Sequence, residues 1–334
     1  VFPGDFSLTP AAEIPLTQGA VEEVLHQLKT LLPQSDFSPE VFSLLGEAAR
    51  GSFSDWWGGL LCRPFSQYGL IVVDSCGLPV RSAARPVFSQ AIDEGPEIHR
   101  LLAQAGAAMV AQGRKPGLDV SREHSHLFLL NRGQRLGLIR EGATFVDAKR
   151  TFTLTQQELL HIAQEEPWRL SPNVVLRPLV QELALPVLAV VGGPGELAYL
   201  EQLGPVFSHF GLQQPPVLPR IGGLLVEPPI ARLLDKYNLM PTQDIDAWLE
   251  ATIKDADSVD MEQVNWMEGR SQAAFRQKHG DVIRHGQRLK IALAPRGQEQ
   301  QRLHNVFWYI NKYGPAFLAA LMQQPLAQDL VLYL

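Results

Sequence analysis

Leu170 to Gly211 reads LSPNVVLRPLVQELALPVLAVVGGPGELAYLEQLGPVFSHFG. It holds the longest apolar run of the chain, Leu183 to Val191, interrupted only by Pro186. β-Branched content and a glycine stop predict a buried strand there. A Gly-Gly-Pro-Gly turn follows at Gly192 to Gly195. From Glu196 onward Leu197, Leu200, Leu203, Phe207 and Phe210 recur at helical spacing. Strand, glycine turn and helix form the unit of nucleotide-binding α/β sheets, whose ligands sit at the carboxyl ends of the strands.

The bulk numbers narrow the class. A length of 334 residues fits one large domain or two to three smaller ones. Hydrophobic residues make up 46%, enough for a sizeable core, and the net charge of −6 argues against a general nucleic-acid binder. A small basic pocket for an anionic substrate is compatible with that balance. Cys62 and Cys76 are the only cysteines, so a reducing cytoplasm is the expected compartment. No run approaches the roughly 20 apolar residues that span a bilayer. The start, VFPGDF, has neither a basic nor an apolar signal region and no initiator Met, which suggests a chain beginning inside a longer protein.

Outward from the opening stretch, the pattern is mixed. Val1 to Thr17 reads as loop. Val21, Val24, Leu25, Leu28, Leu31 and Leu32 form a helical stripe closed by Pro33. Ser38-Pro39 reads as an N-cap with proline at the first helical position, and Ser52 to Leu61 as a restarted helix. Trp56 and Trp57 fit a core-plus-rim pair better than a ligand pocket. Tyr68 to Asp74, YGLIVVD, predicts a strand, with Asp74 either at a site on its carboxyl end or in a plain turn. Arg81 to Ile92 and Glu97 to Gln112 predict helices. His126 to Asn131, Leu136 to Arg140 and Ala143 to Val146 predict short antiparallel strands, with a hairpin turn at Asn131-Arg132-Gly133. His124 and His126 share one strand face but have no third ligand at suitable spacing, so no metal is expected. Thr155 to Glu158 is a capping box. Gly223 to Val226 predicts a strand, Thr242 a cap for a helix over Asp244 to Asp255, and Val264 to Leu293 a polar arm or weak coiled coil. Val306 to Leu321 is amphipathic with a break at Tyr313-Gly314.

One ordered string is more specific than a glycine loop. It runs Ser171-Pro172-Asn173-Val174, Arg177-Pro178, Gln181, Gly192-Gly193-Pro194-Gly195-Glu196, Tyr199 and Pro219-Arg220. Support comes from the Trp-Trp pair leading to Gly-Leu-Ile-Val-Val-Asp within Phe53 to Asp74. Further support comes from Pro295-Arg-Gly-Gln, Gln300-Gln301-Arg302, Asn305 and Tyr313-Gly314. On these residues the chain, from about Ser35 onward, resembles the bacillithiol biosynthesis cysteine-adding enzyme family.

The resemblance implies an α/β fold: the second half of a Rossmann-like core with connecting-peptide insertions, plus a C-terminal helical, coiled-coil-like region. The expected division is 1–165 as connecting-peptide or accessory region, 166–227 as core segment and 228–334 as helical region. The implied activity is a ligase joining the carboxyl group of L-cysteine to the amine of glucosaminyl-malate, the last step of bacillithiol synthesis. ATP or ADP is the implied nucleotide, and a homodimer through the helical region the implied assembly; neither nucleic acid nor membrane is an expected partner. Two departures stand out. The family's opening Thr-Gly-Gln-Gln-Pro-Gly-type loop and its His-Asp motif do not occur here, and the region between Asp255 and Met261 looks shortened. The competing expectation is therefore a catalytically incomplete remnant that serves as a binding or assembly module.

Amide formation needs an activated carboxylate, oxyanion stabilisation and a neutral amine. The backbone N–H groups of Gly193 and Gly195 stand at a helix N-terminus, a ready anion site. Glu196 in the first turn suits the dipole but repels a phosphate. It is therefore expected to hold the cysteine ammonium or orient the glucosamine nitrogen, or else to be an ordinary helix-start glutamate. Arg177 is the candidate for the malate carboxylates because its fork matches a carboxylate, with Asn173 four residues earlier sharing its face if the segment is helical. Arg220 is a second anion candidate and Tyr199 a pocket flank. Each has a bland alternative as structural pairing, solvated loop arginine or core packing. Gln300, Arg302 and Asn305 either border a nucleotide or pin the C-terminal helices.

Overall fold

The computed structural model describes residues 10, 14–32, 34–47, 49, 51–120, 124–257, 269–294, 306–323 and 329–333. The chain divides into two compact units, Val1–Arg220 and Ile221–Leu334.

The first unit opens with three helices: α1 (Gln18–Leu31), α2 (Ser38–Glu47) and α3 (Phe53–Phe65). Thr17 caps α1 by accepting the Ala20 N–H, and Ser52 with Asp55 forms a capping box on α3. Trp56 is buried and donates its indole N–H to the Leu45 carbonyl at 2.9 Å, whereas Trp57 is half exposed. The tryptophan pair thus splits into core and rim, as its sequence suggested.

The expected strand over Tyr68 to Asp74 is not formed. Leu70 to Val73 carries no strand assignment, and Ile71 is 81% exposed. A β-rich sequence becomes a strand only when a ladder accepts its backbone, and no neighbouring strand does so among the described residues. Asp74 lies in the turn that follows. Its Oδ1 accepts the Cys76 N–H at 2.8 Å, and its carbonyl accepts the Gly77 N–H.

Three helices follow: α4 (Leu78–Ala83), α5 (Arg85–Asp93) and α6 (Gly95–Ala111). They bury Val87, Phe88, Ala91, Ile92, Ile98 and Leu102 against a five-stranded antiparallel sheet. Its strands are β1 (His124–Asn131), β2 (Gln134–Glu141), β3 (Thr144–Asp147), β4 (Thr153–Thr155) and β5 (Leu170–Pro172), in the order β4-β3-β2-β1-β5. The hairpin turn between β1 and β2 places Arg132 (φ 51°) and Gly133 (φ 73°) in the left-handed region, the twist that two-residue hairpins require. β1 carries a register irregularity between His124 and Phe128, and His126 has φ 61°. The regular alternation expected for the two histidines is therefore broken. Helix α7 (Gln156–Glu165) starts with the Thr155–Glu158 capping box and buries Leu159, Ile162 and Ala163.

The opening stretch becomes α8 (Arg177–Ala184), β6 (Val190–Gly192), α9 (Pro194–Gln202) and α10 (Gly204–His209), completed by β7 (Val217–Pro219). β6 and β7 pair in parallel, with Val190 opposite Val217 and Gly192 opposite Pro219. This is a strand–helix–strand crossover. The expected buried strand over Leu183 to Val191 contracts to the three residues of β6, and the stretch is open, with Leu188 before the strand at 91% and Val191 within it at 62% exposure. Pro186 cannot donate to a ladder, and the first two residues of the run finish α8. The helix expected from Glu196 to Phe210 breaks at Leu203, where the Gly204-Pro205 pair starts a new turn, yet Leu200, Leu203 and Phe207 all face the core. That core is continuous from Ala84 through Phe145 to Leu176 and Phe207, so it crosses the division expected at 165/166.

The second unit contains β8 (Gly222–Val226), α11 (Pro228–Tyr237), α12 (Ile245–Asp257), α13 (Gly269–Leu293), α14 (Val306–Tyr313), α15 (Ala316–Met322) and β9 (Asp329–Tyr333). β8 and β9 are parallel. Val226, Ile230, Leu234, Ile245, Leu289 and Leu293 make a separate core. Asp244, not the expected Thr242, caps α12: its Oδ1 accepts the N–H groups of Asp246 and Ala247. Its oxygen sits directly before the first turn, whereas Thr242 is two residues too early. Gly314 (φ 85°) makes the expected break between α14 and α15. α13 is a 25-residue polar helix, as its sparse apolar positions predicted. The shortened region expected between Asp255 and Met261 lies largely outside the described residues.

Candidate functional site

Two side-chain groups of the first unit meet at Arg177. The first lies on the glycine turn. The Gly193 N–H donates to Glu196 Oε2 at 2.8 Å, closing a capping box on α9. That amide is thus committed to the protein's own carboxylate rather than open to a phosphate. Arg220 is held by its backbone N–H, which donates to the Gly192 carbonyl at 2.7 Å. Its guanidinium folds over the turn: Nη2 lies 2.9 Å from the point a Cβ on Gly193 would occupy, and Glu196 Oε2 lies 3.5 Å from it. Gly195 faces open space. Tyr199, one turn after Glu196, has its phenol pushed above the ordinary range, chiefly by burial. The Glu196 charge adds to this and the Arg177 charge opposes it. Glu196, Tyr199 and Arg177 therefore share one electrostatic neighbourhood, while Arg220 and Gly193 adjoin Glu196.

The second group lines a cleft of about 610 Å3 whose walls include Asp74, Cys76, Arg81, Arg135, Ser171, Arg177 and Gln181. Arg81 is buried. Its Nη1 donates to the Leu170 carbonyl at 2.6 Å, and its Nη2 lies 3.4 Å from both Cys76 Sγ and Ser171 Oγ. Arg135 donates to Ser171 Oγ at 3.1 Å and to the Pro172 carbonyl, and its guanidinium stacks 3.5 Å over the Phe128 ring. Desolvation lowers the pKa of Arg135, and the positive charges of Arg177 and Arg81 push the same way. Among the described residues none of the three guanidinium groups is paired with a carboxylate.

Asn173 stands apart from the helix that carries Arg177. Its Oδ1 accepts the Val175 N–H at 2.9 Å, its Nδ2 lies 3.2 Å from His126 Nδ1, and its carbonyl accepts the Arg177 N–H. The segment 174–176 is a turn, so Asn173 positions the start of α8 rather than sharing a helical face with Arg177. Gln300, Arg302 and Asn305 lie outside the described residues.

Residues 7–221 match the family described as bacillithiol biosynthesis BshC, N-terminal Rossmann-like domain, and residues 241–333 match its C-terminal coiled-coil domain. The chain belongs to the bacillithiol biosynthesis BshC family. The curated relatives carry the name "Putative cysteine ligase BshC". That of Carboxydothermus hydrogenoformans is 26% identical over 366 residues, covering 96% of this chain and 68% of the relative. That of Bacillus anthracis is 27% identical over 362 residues, covering 94% of this chain and 67% of the relative. The chain thus spans about two thirds of the length of the BshC proteins it matches. The Rossmann-like and helical assignments expected from the sequence agree with both matched regions. No described helix is long and apolar enough to cross a membrane.

Sequence reasoning missed Arg81 and Arg135. Arg81 lies in the last turn of the short helix α4 and Arg135 follows a hairpin, and neither sits in a motif. Their spacing from Arg177 along the chain has no periodicity, so only the tertiary fold, with β1 paired to β2 and β5 and α4 packed beside α8, brings them together.

Proposed function

We propose that this BshC-family chain acts as a cysteine ligase, forming the amide between the L-cysteine carboxyl group and the amine of glucosaminyl-malate. The observation that carries the reading is that Arg177 lines a cleft with two further guanidinium groups, none paired with a carboxylate among the described residues, and shares an electrostatic neighbourhood with Glu196 and Tyr199. The two groups match the two halves of the chemistry. Arg177 holds a malate carboxylate through its planar fork. Glu196, with Tyr199 beside it, sits where an amine or ammonium is stabilised. Arg220 folds over Gly193 and offers a second cation for carboxylate or oxyanion charge. Gly193 leaves room for that guanidinium, and Gly195 keeps the approach clear. Asn173 positions Arg177 by capping the turn before it.

ATP or ADP is the nucleotide of this reading; as ATP it would supply the activation of the cysteine carboxylate. The reading draws on a cleft of about 580 Å3 in the second unit, lined by Arg284, Arg288 and Lys312 with Trp308 and Tyr309, in which Arg284 also pairs with Asp281 and Lys312 with Glu227. Cations for phosphate and rings for a base are the chemistry a nucleotide needs. Gln300, Arg302 and Asn305 precede those aromatic residues in sequence and belong to the same proposal. A homodimer through the helical unit is the proposed assembly.

The test is incubation of the purified chain with cysteine, glucosaminyl-malate and ATP, with product followed by mass. Bacillithiol formation that is lost in Arg177→Gln supports the reading. A well-folded sample yielding no product overturns it for this chain and favours the binding-module alternative.

A further inference from the structure

We propose that Arg81, Arg135 and Arg177 together form a binding site for a compact dicarboxylate. The ligase reading bears only on which dicarboxylate is natural: the malyl group of the sugar substrate is one.

The cleft brings three fixed positive charges together, and among the described residues none of them is paired with a carboxylate. Among the described residues its one lining carboxylate, Asp74, is exposed and accepts the Cys76 N–H. Like charges gathered in a partly desolvated space raise one another's free energy, and a bound anion relieves that. Arg81 is 3% exposed, and its buried Nε has no hydrogen-bond partner among the described residues. A buried donor left unpaired is costly, so the Arg81 charge is under-compensated within the protein, and an anion in the cleft relieves it. Arg135 is held rigidly by Ser171, Pro172 and the Phe128 ring. A pre-organised fork loses little entropy on binding a carboxylate.

The shape favours two carboxylates over one phosphate. The guanidinium groups come from different elements, α4, β2 and α8, and surround a space of about 610 Å3. Leu130, Val180 and Ala184 supply apolar wall between them, which suits a short carbon chain carrying an acid at each end. A phosphate concentrates its charge at one centre and leaves that wall uncovered.

The test uses the full chain with neither cysteine nor ATP. L-malate, acetate and inorganic phosphate are titrated by calorimetry, and iodoacetamide alkylation of Cys76 is followed by peptide mass with Cys62 as internal reference. Malate is expected to bind at least about tenfold tighter than acetate or phosphate and to slow alkylation of Cys76 but not of Cys62. Arg135→Gln and Arg177→Gln are each expected to weaken malate at least about tenfold while circular dichroism stays that of the parent. Arg81 anchors the Leu170 carbonyl, so its substitution is not used. Equal affinity for malate and acetate overturns the proposal. So does phosphate binding as tightly as malate, or malate affinity unchanged in both variants. Malate binding that needs both arginines supports the site even if the chain makes no bacillithiol, which would sink the ligase reading alone. Bacillithiol formation with malate affinity untouched in both variants would sink the dicarboxylate site alone.

Discussion

The Gly193 backbone N–H donates to the Glu196 carboxylate at 2.8 Å, so one side chain both caps α9 and lines the candidate site. The two roles separate by substitution. Glu196→Gln keeps an oxygen to accept the Gly193 N–H and is expected to leave the urea midpoint nearly unchanged. Glu196→Ala removes the acceptor and is expected to cost about 1 kcal/mol. Steady-state kinetics then read the second role: Glu196→Gln should lower kcat/KM. Unchanged KM for both substrates together with unchanged kcat would reduce Glu196 to a cap.

Two glycines respond oppositely to alanine. At Gly193 the new methyl meets the far end of the Arg220 side chain, which can swing away. Gly193→Ala should therefore keep its stability but lose the folded-over position of Arg220, read as weaker substrate affinity. At Gly117 the methyl would lie 2.4 Å from the Tyr199 backbone nitrogen. Main chain cannot yield in that way, so Gly117→Ala should destabilise by about 3 kcal/mol or more in urea denaturation.

Gln202 is buried, and its amide ties two distant segments: Nε2 donates to the Leu102 carbonyl at 3.1 Å, and Oε1 accepts the Leu118 N–H at 3.0 Å. Gln202→Leu preserves volume but strands the Leu118 donor. The expected loss is about 2 kcal/mol, visible as a lower urea midpoint with the slope unchanged. A wild-type midpoint would show that water replaces the side chain.

The second unit carries a pH-dependent clasp. Burial alone would raise the pKa of Glu227, but hydrogen bonds from Lys312 (2.6 Å) and Tyr313 (2.8 Å), with the Lys312 charge, bring it below the ordinary glutamate range. The unfolded chain therefore binds more protons than the folded one, and stability rises with pH across this window. The contribution is fully present above the unfolded value of about 4.3 and is lost as pH falls through the lower folded value. Amide exchange in α14 should accelerate as pH drops through that window, after correction for intrinsic exchange. Glu227→Gln should flatten the dependence.

Local elements were largely legible in the sequence. The Thr155–Glu158 box, the Asn131-Arg132-Gly133 hairpin and the Gly314 break each depend on residues within a few positions of one another, and each formed as expected. YGLIVVD misled because strand formation needs a partner, which composition does not report. Asn173 misled because a turn separates it from Arg177. Within the site, the Gly193–Glu196 contact is a four-residue relationship and was readable. The Arg81–Arg135–Arg177 cleft was not.

By itself, the sequence determined the glycine turn, the strand before it, the helix after it and the family, because short-range periodicity and an ordered motif carry that information; the pairing of Val217–Pro219 with that strand came only from the structure. Only the tertiary structure decided which charges meet. Arg81, Arg135 and Arg177 lie on three separate elements, and their proximity follows from the pairing of β1 with β2 and β5 and from the packing of α4 beside α8. Electrostatic coupling depends on distance through space, and no local pattern along a chain encodes it.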